Sequence, residues 1–253
     1  FVLFVPLFCF CSPVTGMCYK AYGSIPLWSG GLSPLGSFLV HWGLQLFILL
    51  SWLVWETREW LAAPPLSSVL RFRPYFIFIQ VLVVLFILAL VLITLLGIEI
   101  GWLTGILGVW AAILIFRPKQ PDVKRLVLFM TGTALVLTLF VEGFVLAGDI
   151  GRMNTVFKFY YQAWTLLGLS AAAALIWLLP AVFTRWRAAT STVWQTILIL
   201  LVFGAAMYPF TATIDKARDR MSEITPKTLD GLDFMATSQY FDQTGFIELN
   251  QDY

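Results

Sequence analysis

Seven residues whose side chains could do chemistry lie near the ends of strongly apolar segments. They are Glu99, Glu142, Asp149, Arg152, Asn154, Lys158 and Tyr161. Ionisable groups inside a membrane cost free energy, about 2.5–3.5 kcal/mol at the centre of a helix on insertion scales, so they often mark a functional site. Cationic side chains bind phosphate oxygens, whereas a carboxylate acts as a general base or binds a metal ion. The set therefore predicts a site for an anionic head group.

Helical spacing groups these residues further. Glu142 and Asp149 are seven positions apart, so they face the same way if one helix continues through Gly148. A helix that begins near residue 154 brings four polar side chains into one stripe beside an aromatic face. The stripe comprises Asn154, Lys158, Tyr161 and Thr165. In this hypothesis the cations contact phosphate, and one of the two carboxylates is a base or a metal ligand.

A structural interpretation of the same residues stays open. Lys158 can extend its ammonium group to the membrane interface, and Arg152 can pair with Asp149 to hold a loop. Glu142 can hydrogen-bond to a neighbouring helix without taking part in catalysis. We expect the only histidine, His41, to be an interfacial or packed residue rather than a ligand.

Composition identifies the solvent that surrounds most of this chain. Hydrophobic residues make up 60% and charged residues 12% of the 253 residues, whereas soluble domains have roughly 45–50% and 25%. A soluble fold of this size cannot cover itself with so few polar groups. The net charge of +2 comes from scattered residues and does not indicate nucleic-acid binding. The three cysteines do not have metal-ligand spacing. We therefore expect an integral membrane protein.

The predicted fold class is all-α, a polytopic bundle of transmembrane helices with about six complete spans and a truncated one. Crossing the hydrocarbon core takes roughly 20 apolar residues in a helix. Six segments approach this length: 37–55, 75–96, 100–116, 126–147, 156–183 and 193–210. Residues 1–11 are interpreted as the end of a seventh helix. The alternation of a β-barrel is absent, and lipid offers backbone groups no partners, so the spans must be helices. Because the chain starts at Phe1, we also expect it to be a piece of a longer polypeptide.

Basic residues predict the orientation of the spans. Alternate connections carry nine Lys and Arg residues, and the opposite connections carry three. The nine are Arg58, Arg71, Arg73, Arg117, Lys119, Lys124, Arg125, Arg185 and Arg187. Short loops rich in Lys and Arg stay cytoplasmic, so the predicted site lies at the extracytoplasmic face of the cell membrane. The cytoplasmic halves of the spans are expected to hold no comparable polar set.

Two regions are predicted along the chain. Residues 1–212 form the transmembrane region, which is the later part of a larger membrane domain. Residues 213–253 begin a truncated extracytoplasmic soluble region. Apolar runs disappear from residue 213 onward, and the charged run 215–220 predicts a short helix. Pro226 and the pair Asp230-Gly231 supply turns.

The segment from residue 148 to residue 164 is distinctive. Its sequence, GDIGRMNTVFKFYYQAW, resembles the signature of the uncharacterised "YYY" family of bacterial and archaeal membrane proteins. Further motifs match that family in the same order along the chain: YGSI at 22–25, WLVWETR at 52–58 and TLDGLDFM at 228–235. The resemblance covers essentially the whole chain.

The resemblance implies a GT-C-like fold and activity, because this family is thought to be related to GT-C-type glycosyltransferases. Such enzymes move sugars from polyprenyl-phosphate carriers at the outer membrane face. The resemblance further implies that Arg152 and Lys158 contact the lipid phosphate, while Asp149 or Glu142 orients the acceptor or a divalent cation. The other substrate-binding candidates are Asn154, Tyr161 and Glu99. A divalent cation is the candidate cofactor, although no set of metal ligands is predicted.

Two other functions stay open. A transporter or flippase for an anionic lipid or solute predicts polar residues and broken helices near the bilayer midplane. A non-catalytic scaffold or subunit predicts that Arg152→Ala and Lys158→Ala are tolerated. The glycosyltransferase hypothesis instead expects the site residues to converge on a water-accessible groove that opens to lipid. Membrane lipid is the expected partner, nucleic acid is not, and the oligomeric state is left open.

Overall fold

A computed structural model describes residues 10–11, 18–19, 27–62, 75–146, 149, 151–220, 228, 230, 232–233, 239–242 and 245–248. Within these residues the helices are α1 (Leu35–Ala62), α2 (Phe76–Leu95), α3 (Gly101–Ile115), α4 (Asp122–Gly143), α5 (Met153–Thr184) and α6 (Ala188–Arg220). Two short antiparallel hairpins accompany them: β1 (Phe10–Cys11) with β2 (Cys18–Tyr19), and β3 (Gln239–Asp242) with β4 (Gly245–Glu248). The expected helical class is confirmed. The prediction that residues 1–11 end a seventh helix is wrong for Phe10 and Cys11, which pair with β2 as a strand, and residues 1–9 lie outside the described residues.

The chain divides into two compact units. The first unit is Phe1–Leu198 and contains α1 to α5 with the first part of α6. The second is Ile199–Tyr253 and contains the rest of α6 with the β3–β4 hairpin. The predicted boundary between residues 212 and 213 stays a prediction.

Five of the described helices are long and apolar enough to cross a membrane. They are α1, α2, α4, α5 and α6. Helix α3 has 15 residues, which corresponds to about 22 Å at 1.5 Å per residue and falls short of a core of about 30 Å. Several helices match the predicted spans, but the number of complete spans remains a prediction, because α3 is too short to cross unaided.

Helix ends differ from the predicted spans: α4 and α6 continue into charged residues at one end, and α4 stops four residues early at the other. Helix α4 begins at Asp122 and ends at Gly143, whereas residues 126–147 were expected. Helix α6 runs through Pro209 as far as Arg220. The charged run at 215–220 is therefore the end of α6 and not a separate short helix, so that expectation is wrong. Charged residues extend a helix readily once its axis leaves the hydrocarbon, since water then solvates them.

Antiparallel packing puts the predicted site residues and the basic loops at opposite ends of the first unit. The site end comprises residues 27–35, 97–100, 141–146, 149 and 151–158, which are joined by hydrogen bonds between these segments. The basic end comprises residues 55–62, 116–125 and 184–188, also joined to one another. The basic connections do share one end, as expected, with Arg71 and Arg73 outside the described residues. Which side of the membrane each end faces stays a prediction.

Small residues on α5 allow close packing at the centre of the unit. Ala163, Ser170, Ala171 and Ala174 are buried among residues of α1 and α4. The Ser170 hydroxyl donates to the Val127 carbonyl of α4 at 3.5 Å. Small side chains are typical of helix contacts in membranes, where backbones approach closely because lipid gives no hydrophobic drive for association.

We predict that Ala174→Leu lowers the free energy of unfolding by about 1–3 kcal/mol, because added methylenes must force apart a packed core. Ala174 is fully buried on α5, whereas Ala172 on the same helix is exposed. Ala172→Leu is therefore the matched control and should leave stability unchanged. Thermal unfolding of the purified variants in one detergent measures both, and equal losses would contradict the packing described.

Candidate functional site

Glu142 lies in the last turn of α4 with its side chain fully buried. Its Oε1 atom is 3.0 Å from Nη1 of Arg152, and its Oε2 atom accepts the Ser33 backbone N–H at 2.8 Å. A buried carboxylate is tolerated when it is paired and hydrogen-bonded, because its desolvation is then offset. Glu142 thus joins α4, the start of α5 and the segment that leads into α1.

Arg152 immediately precedes α5, and its side chain is 14% exposed. Besides the Glu142 ion pair, Nη1 donates to the Val141 carbonyl at 3.0 Å and Nη2 donates to the Ser33 hydroxyl at 3.1 Å. The guanidinium lies 5.6 Å from the centre of the Trp28 ring, within the range of a cation–π contact. The alternative in which Arg152 pairs with Asp149 is wrong, because its ion pair is with Glu142.

Two carboxylates hold the segment that leads into α1. The backbone N–H of Ser33 donates to Glu142, and that of Leu35 donates to Oε2 of Glu99 at 2.9 Å. Earlier in the segment, the Trp28 backbone N–H donates to the Gly143 carbonyl at 2.9 Å. These N–H groups precede or begin a helix, where they have no partner within it. Both acids therefore have a positioning role in the fold.

Asp149 fixes the start of α5. Its Oδ1 accepts the Asn154 N–H at 3.1 Å, and its Oδ2 accepts the Thr155 N–H and the Thr155 hydroxyl, each at 2.7 Å. The Thr155 hydroxyl in turn accepts the Leu146 N–H at 3.0 Å. Partial desolvation raises the pKa of Asp149, but the hydrogen bonds from Thr155 and Asn154 outweigh it and hold the pKa below its ordinary value of 3.8.

Glu142 and Asp149 do not lie on one helix face. Helix α4 ends at Gly143, and Phe144 adopts an extended backbone with φ −135° and ψ 150°. The shared face depended on a helix that continues through Gly148, so that expectation is wrong. The two acids instead hold neighbouring parts of the α4–α5 connection.

The predicted polar stripe on α5 is present, because α5 begins at Met153 as the stripe requires. Asn154, Lys158, Tyr161 and Thr165 are exposed along one face. In the part of the chain that the structure describes, Lys158 forms no ion pair. The exposed aromatic residues Phe157 and Trp164 flank the stripe.

The predicted site residues thus fall into three groups, so the expectation that they converge on one groove is wrong for the described residues. Glu142, Arg152 and Asp149 are engaged in contacts that hold the α4–α5 connection, whereas Lys158 and Tyr161 belong to the exposed stripe. Glu99 lies apart, in the turn between α2 and α3. It borders a cavity of about 320 Å³ that is otherwise lined by Leu35, Thr94, Gly97, Ile98 and Trp102. Within the described residues, no three His, Cys, Asp or Glu side chains converge on a metal position.

Sequence reasoning missed Ser33 and Thr155. Ser33 is 109 positions from Glu142, so helical periodicity could not connect them. Thr155 follows Asp149 by six positions, and a carboxylate shortly before a helix start is a recognisable signal for hydrogen bonding to the first turn. His41 is exposed, and its ring lies 4.6 Å from Trp42 and 6.2 Å from Tyr160, in keeping with the interfacial or packed role expected for it.

The basic end also contains a buried polar cluster, which corrects the expectation that none exists there. Glu56 is buried and pairs with Arg117 at 3.0 Å and with Lys124. The Trp52 indole N–H donates to the same carboxylate at 3.3 Å. Glu56 was overlooked because it is the first charge after an apolar run, with partners 61 and 68 positions away.

We predict strong energetic coupling between Glu142 and Arg152. Glu142→Gln or Arg152→Gln alone should lower the free energy of unfolding by about 3–5 kcal/mol, because each leaves a buried charge without its partner. The double variant should lose at least about 2 kcal/mol less than the sum of the single losses. Thermal or denaturant unfolding in detergent gives the free energies of unfolding of the wild type, the two single variants and the double variant.

Glu59 and Arg185 supply a control double-mutant cycle, in which the same Gln substitutions are made singly and together. Their side chains are 42% and 62% exposed and lie 3.2 Å apart, so their coupling should stay below about 1 kcal/mol. Equal coupling in both cycles would contradict the role assigned to the buried pair.

Asp149→Asn should destabilise the protein at neutral pH, because the carboxylate accepts hydrogen bonds that an amide satisfies poorly. Since the pKa of Asp149 is lowered in the folded state, its stabilisation is present above its ordinary pKa of 3.8 and is lost as the pH falls through the folded value. Unfolding curves of both proteins from pH 7 downward should therefore converge only below about pH 3.8. A constant difference across this window would contradict the assignment.

Comparison with curated proteins and with solved structures gives no match. A family model described as "Uncharacterized membrane protein (DUF2298)" matches residues 1–167. This match confirms the expectation of an uncharacterised family of membrane proteins, and five apolar helices of spanning length agree with an integral membrane location. The chain belongs to the DUF2298 family of membrane proteins.

Proposed function

We propose that this chain forms part of a GT-C-type glycosyltransferase that takes a sugar from a polyprenyl-phosphate carrier at the extracytoplasmic face of the cell membrane. The observation that carries the proposal is the exposed stripe on α5. Lys158 presents an ammonium group without an acidic partner among the described residues, close to the end of a membrane helix. A cation in this position suits a lipid phosphate at the membrane boundary.

The stripe has the groups that a polyprenyl phosphate needs. Asn154 and Tyr161 lie four positions before and three positions after Lys158, on the same exposed face. They offer an amide and a hydroxyl beside the ammonium group. Phe157 and Trp164 are 72% and 56% exposed alongside the stripe, where they can contact the polyprenyl chain.

The acidic residues at this end differ in whether their carboxylate oxygens are free to act on a substrate. Glu142 Oε2 accepts the Ser33 N–H, and its buried Oε1 lies 3.0 Å from the Arg152 guanidinium without a hydrogen bond, whereas both oxygens of Asp149 hold the first turn of α5. Their geometry supports positioning of Arg152 and α5. Glu99 is exposed and uses only Oε2 for Leu35, so Oε1 has no bond to a described residue. In the proposed transfer, an acceptor hydroxyl attacks the anomeric carbon, its proton passes to a carboxylate, and polyprenyl phosphate leaves with the electron pair of the broken C–O bond.

A transporter finds less support in the described helices. Buried hydroxyls within the spans donate to backbone carbonyls, as Thr131 does to Val127 and Thr138 does to Leu135, each at 2.8 Å. Helices α4 and α5 are continuous through the middle of their length, whereas transporters often have broken helices near the bilayer midplane. The exposed polar groups of the stripe begin at the N-terminal end of α5, where a lipid head group resides, whereas Gln45 inside α1 keeps its buried Oε1 without a hydrogen bond to the described residues.

We expect Lys158→Gln to weaken binding of a polyprenyl phosphate about tenfold or more, because a charge-assisted contact is lost, and to leave stability unchanged. Lys158→Arg should retain most binding. The measurement is the glycolipid and glycoprotein profile of cells that lack the gene and carry each variant, together with phosphate-lipid binding by the purified protein. Lys216→Gln, the same change at an exposed position of α6, is the control and should behave as wild type.

Two outcomes would count against the proposed function. One is a deletion strain in which every glycan is unchanged while a transport or assembly defect appears. The other is full complementation by Lys158→Gln with unchanged lipid binding, as expected for an ammonium group that only extends to the interface.

A further inference from the structure

The turn between α3 and α4 concentrates side-chain N–H donors at the basic end. Arg117 and Gln120 lie in the turn, and Lys124 and Arg125 lie in the first turn of α4. This region is at the opposite end of the helices from Lys158, so it is independent of the proposed transferase site. The described residues offer fewer hydrogen-bond acceptors than these N–H donors need.

Two cations share a single buried acid in this turn. Nη1 of Arg117 lies 3.0 Å from Oε2 of Glu56 and donates to the Glu56 carbonyl at 3.2 Å. Lys124 pairs with Oε1 of the same carboxylate, and its ammonium lies 5.4 Å from the Trp177 ring centre. The cluster therefore keeps one uncompensated positive charge. Because the two basic side chains are only 18% and 23% exposed, water compensates this charge poorly.

Buried donors without acceptors lie beside this charge. Nε2 of Gln120 and Nε of Arg125 are both buried and make no hydrogen bond to the described residues, and Gln120 as a whole is 4% exposed. Gln120 is connected to the cluster through its backbone N–H, which donates to the Arg117 carbonyl at 3.3 Å. An oxyanion would satisfy these donors and neutralise the excess charge together, since each of its oxygens accepts several hydrogen bonds.

The surroundings indicate that this oxyanion carries acyl chains. Phe116, Val123 and Leu126 project from the same turn with exposed fractions of 83%, 64% and 58%. In a membrane protein such residues contact lipid next to the head-group region. Asp122, the acidic residue of this turn, is almost fully exposed and pairs with Arg125 at 3.1 Å, so its charge is screened.

We propose that the α3–α4 turn binds the phosphate of an anionic membrane phospholipid through Arg117, Gln120, Lys124 and Arg125. The phosphate accepts from the donors that lack partners, and the acyl chains lie against the exposed apolar residues of the turn. Glu56 holds the two inner cations in place for this contact.

The test is native mass spectrometry of the purified protein titrated with phosphatidylglycerol or phosphatidylcholine. The wild-type protein should bind phosphatidylglycerol about tenfold more tightly. Gln120→Leu should lower this preference about threefold, and Arg125→Gln about tenfold, because they remove one neutral and one charged donor. Both leave the Glu56 pairs intact, and thermal unfolding in phosphatidylcholine verifies that each variant is folded.

Arg185→Gln is the matched control, since it removes one charge from an exposed pair at the same end. Its preference should equal that of the wild type. The proposal is overturned if the wild type binds both lipids equally, or if Arg185→Gln loses as much preference as Arg125→Gln, which would indicate general attraction to a charged surface. It is also overturned if inorganic phosphate alone stabilises the protein as much as phosphatidylglycerol does, because the ligand would then be soluble phosphate.

Discussion

The Glu142 carboxylate is the point at which three distant parts of the chain meet. It ends α4, pairs with the arginine that precedes α5, and accepts the backbone N–H of Ser33 just before α1. Because the carboxylate is buried, loss of any partner exposes its charge to a medium that solvates it poorly. The geometry of the α4–α5 connection, and hence the position of the exposed stripe on α5, follows from this contact. Asp149 then sets the first turn of that helix.

Glu56 performs a related task at the basic end, although the charge balance differs. Glu142 faces one cation, so that cluster is neutral, whereas Glu56 faces Arg117 and Lys124. Each acid holds a connection between helices where the chain leaves the hydrocarbon. The helices between these ends need few polar contacts, because their hydroxyl groups donate to backbone carbonyls, and small residues of α5 allow close packing. The fold therefore uses ion pairs at its ends and close packing between them.

The sequence predicted the helices well where their length and apolar character are set by the bilayer. It missed helix ends, because α4 and α6 extend through charged residues that carry no hydropathy signal, and because the apolar run that continues past Gly143 hides the end of α4. For the site, the residue types and the α5 stripe were predictable from spacing. The partners were not: Arg152 pairs with Glu142 and not with Asp149 because α4 stops at Gly143, and Ser33 reaches the site from more than 100 positions away. Such contacts depend on tertiary packing, which periodicity does not encode.

Because lipid surrounds the helices, positive charges that lack a full negative partner lie at helix ends. An ion pair such as Glu142–Arg152 can be buried, because its partners neutralise one another. A single ammonium or guanidinium group in hydrocarbon cannot be, so it must reach water or a phosphate head group. Lys158 on α5 and the surplus charge beside Glu56 both lie at helix ends, at opposite faces of the unit. The charges left after internal pairing are therefore the ones to examine for lipid recognition, whichever lipid each end contacts.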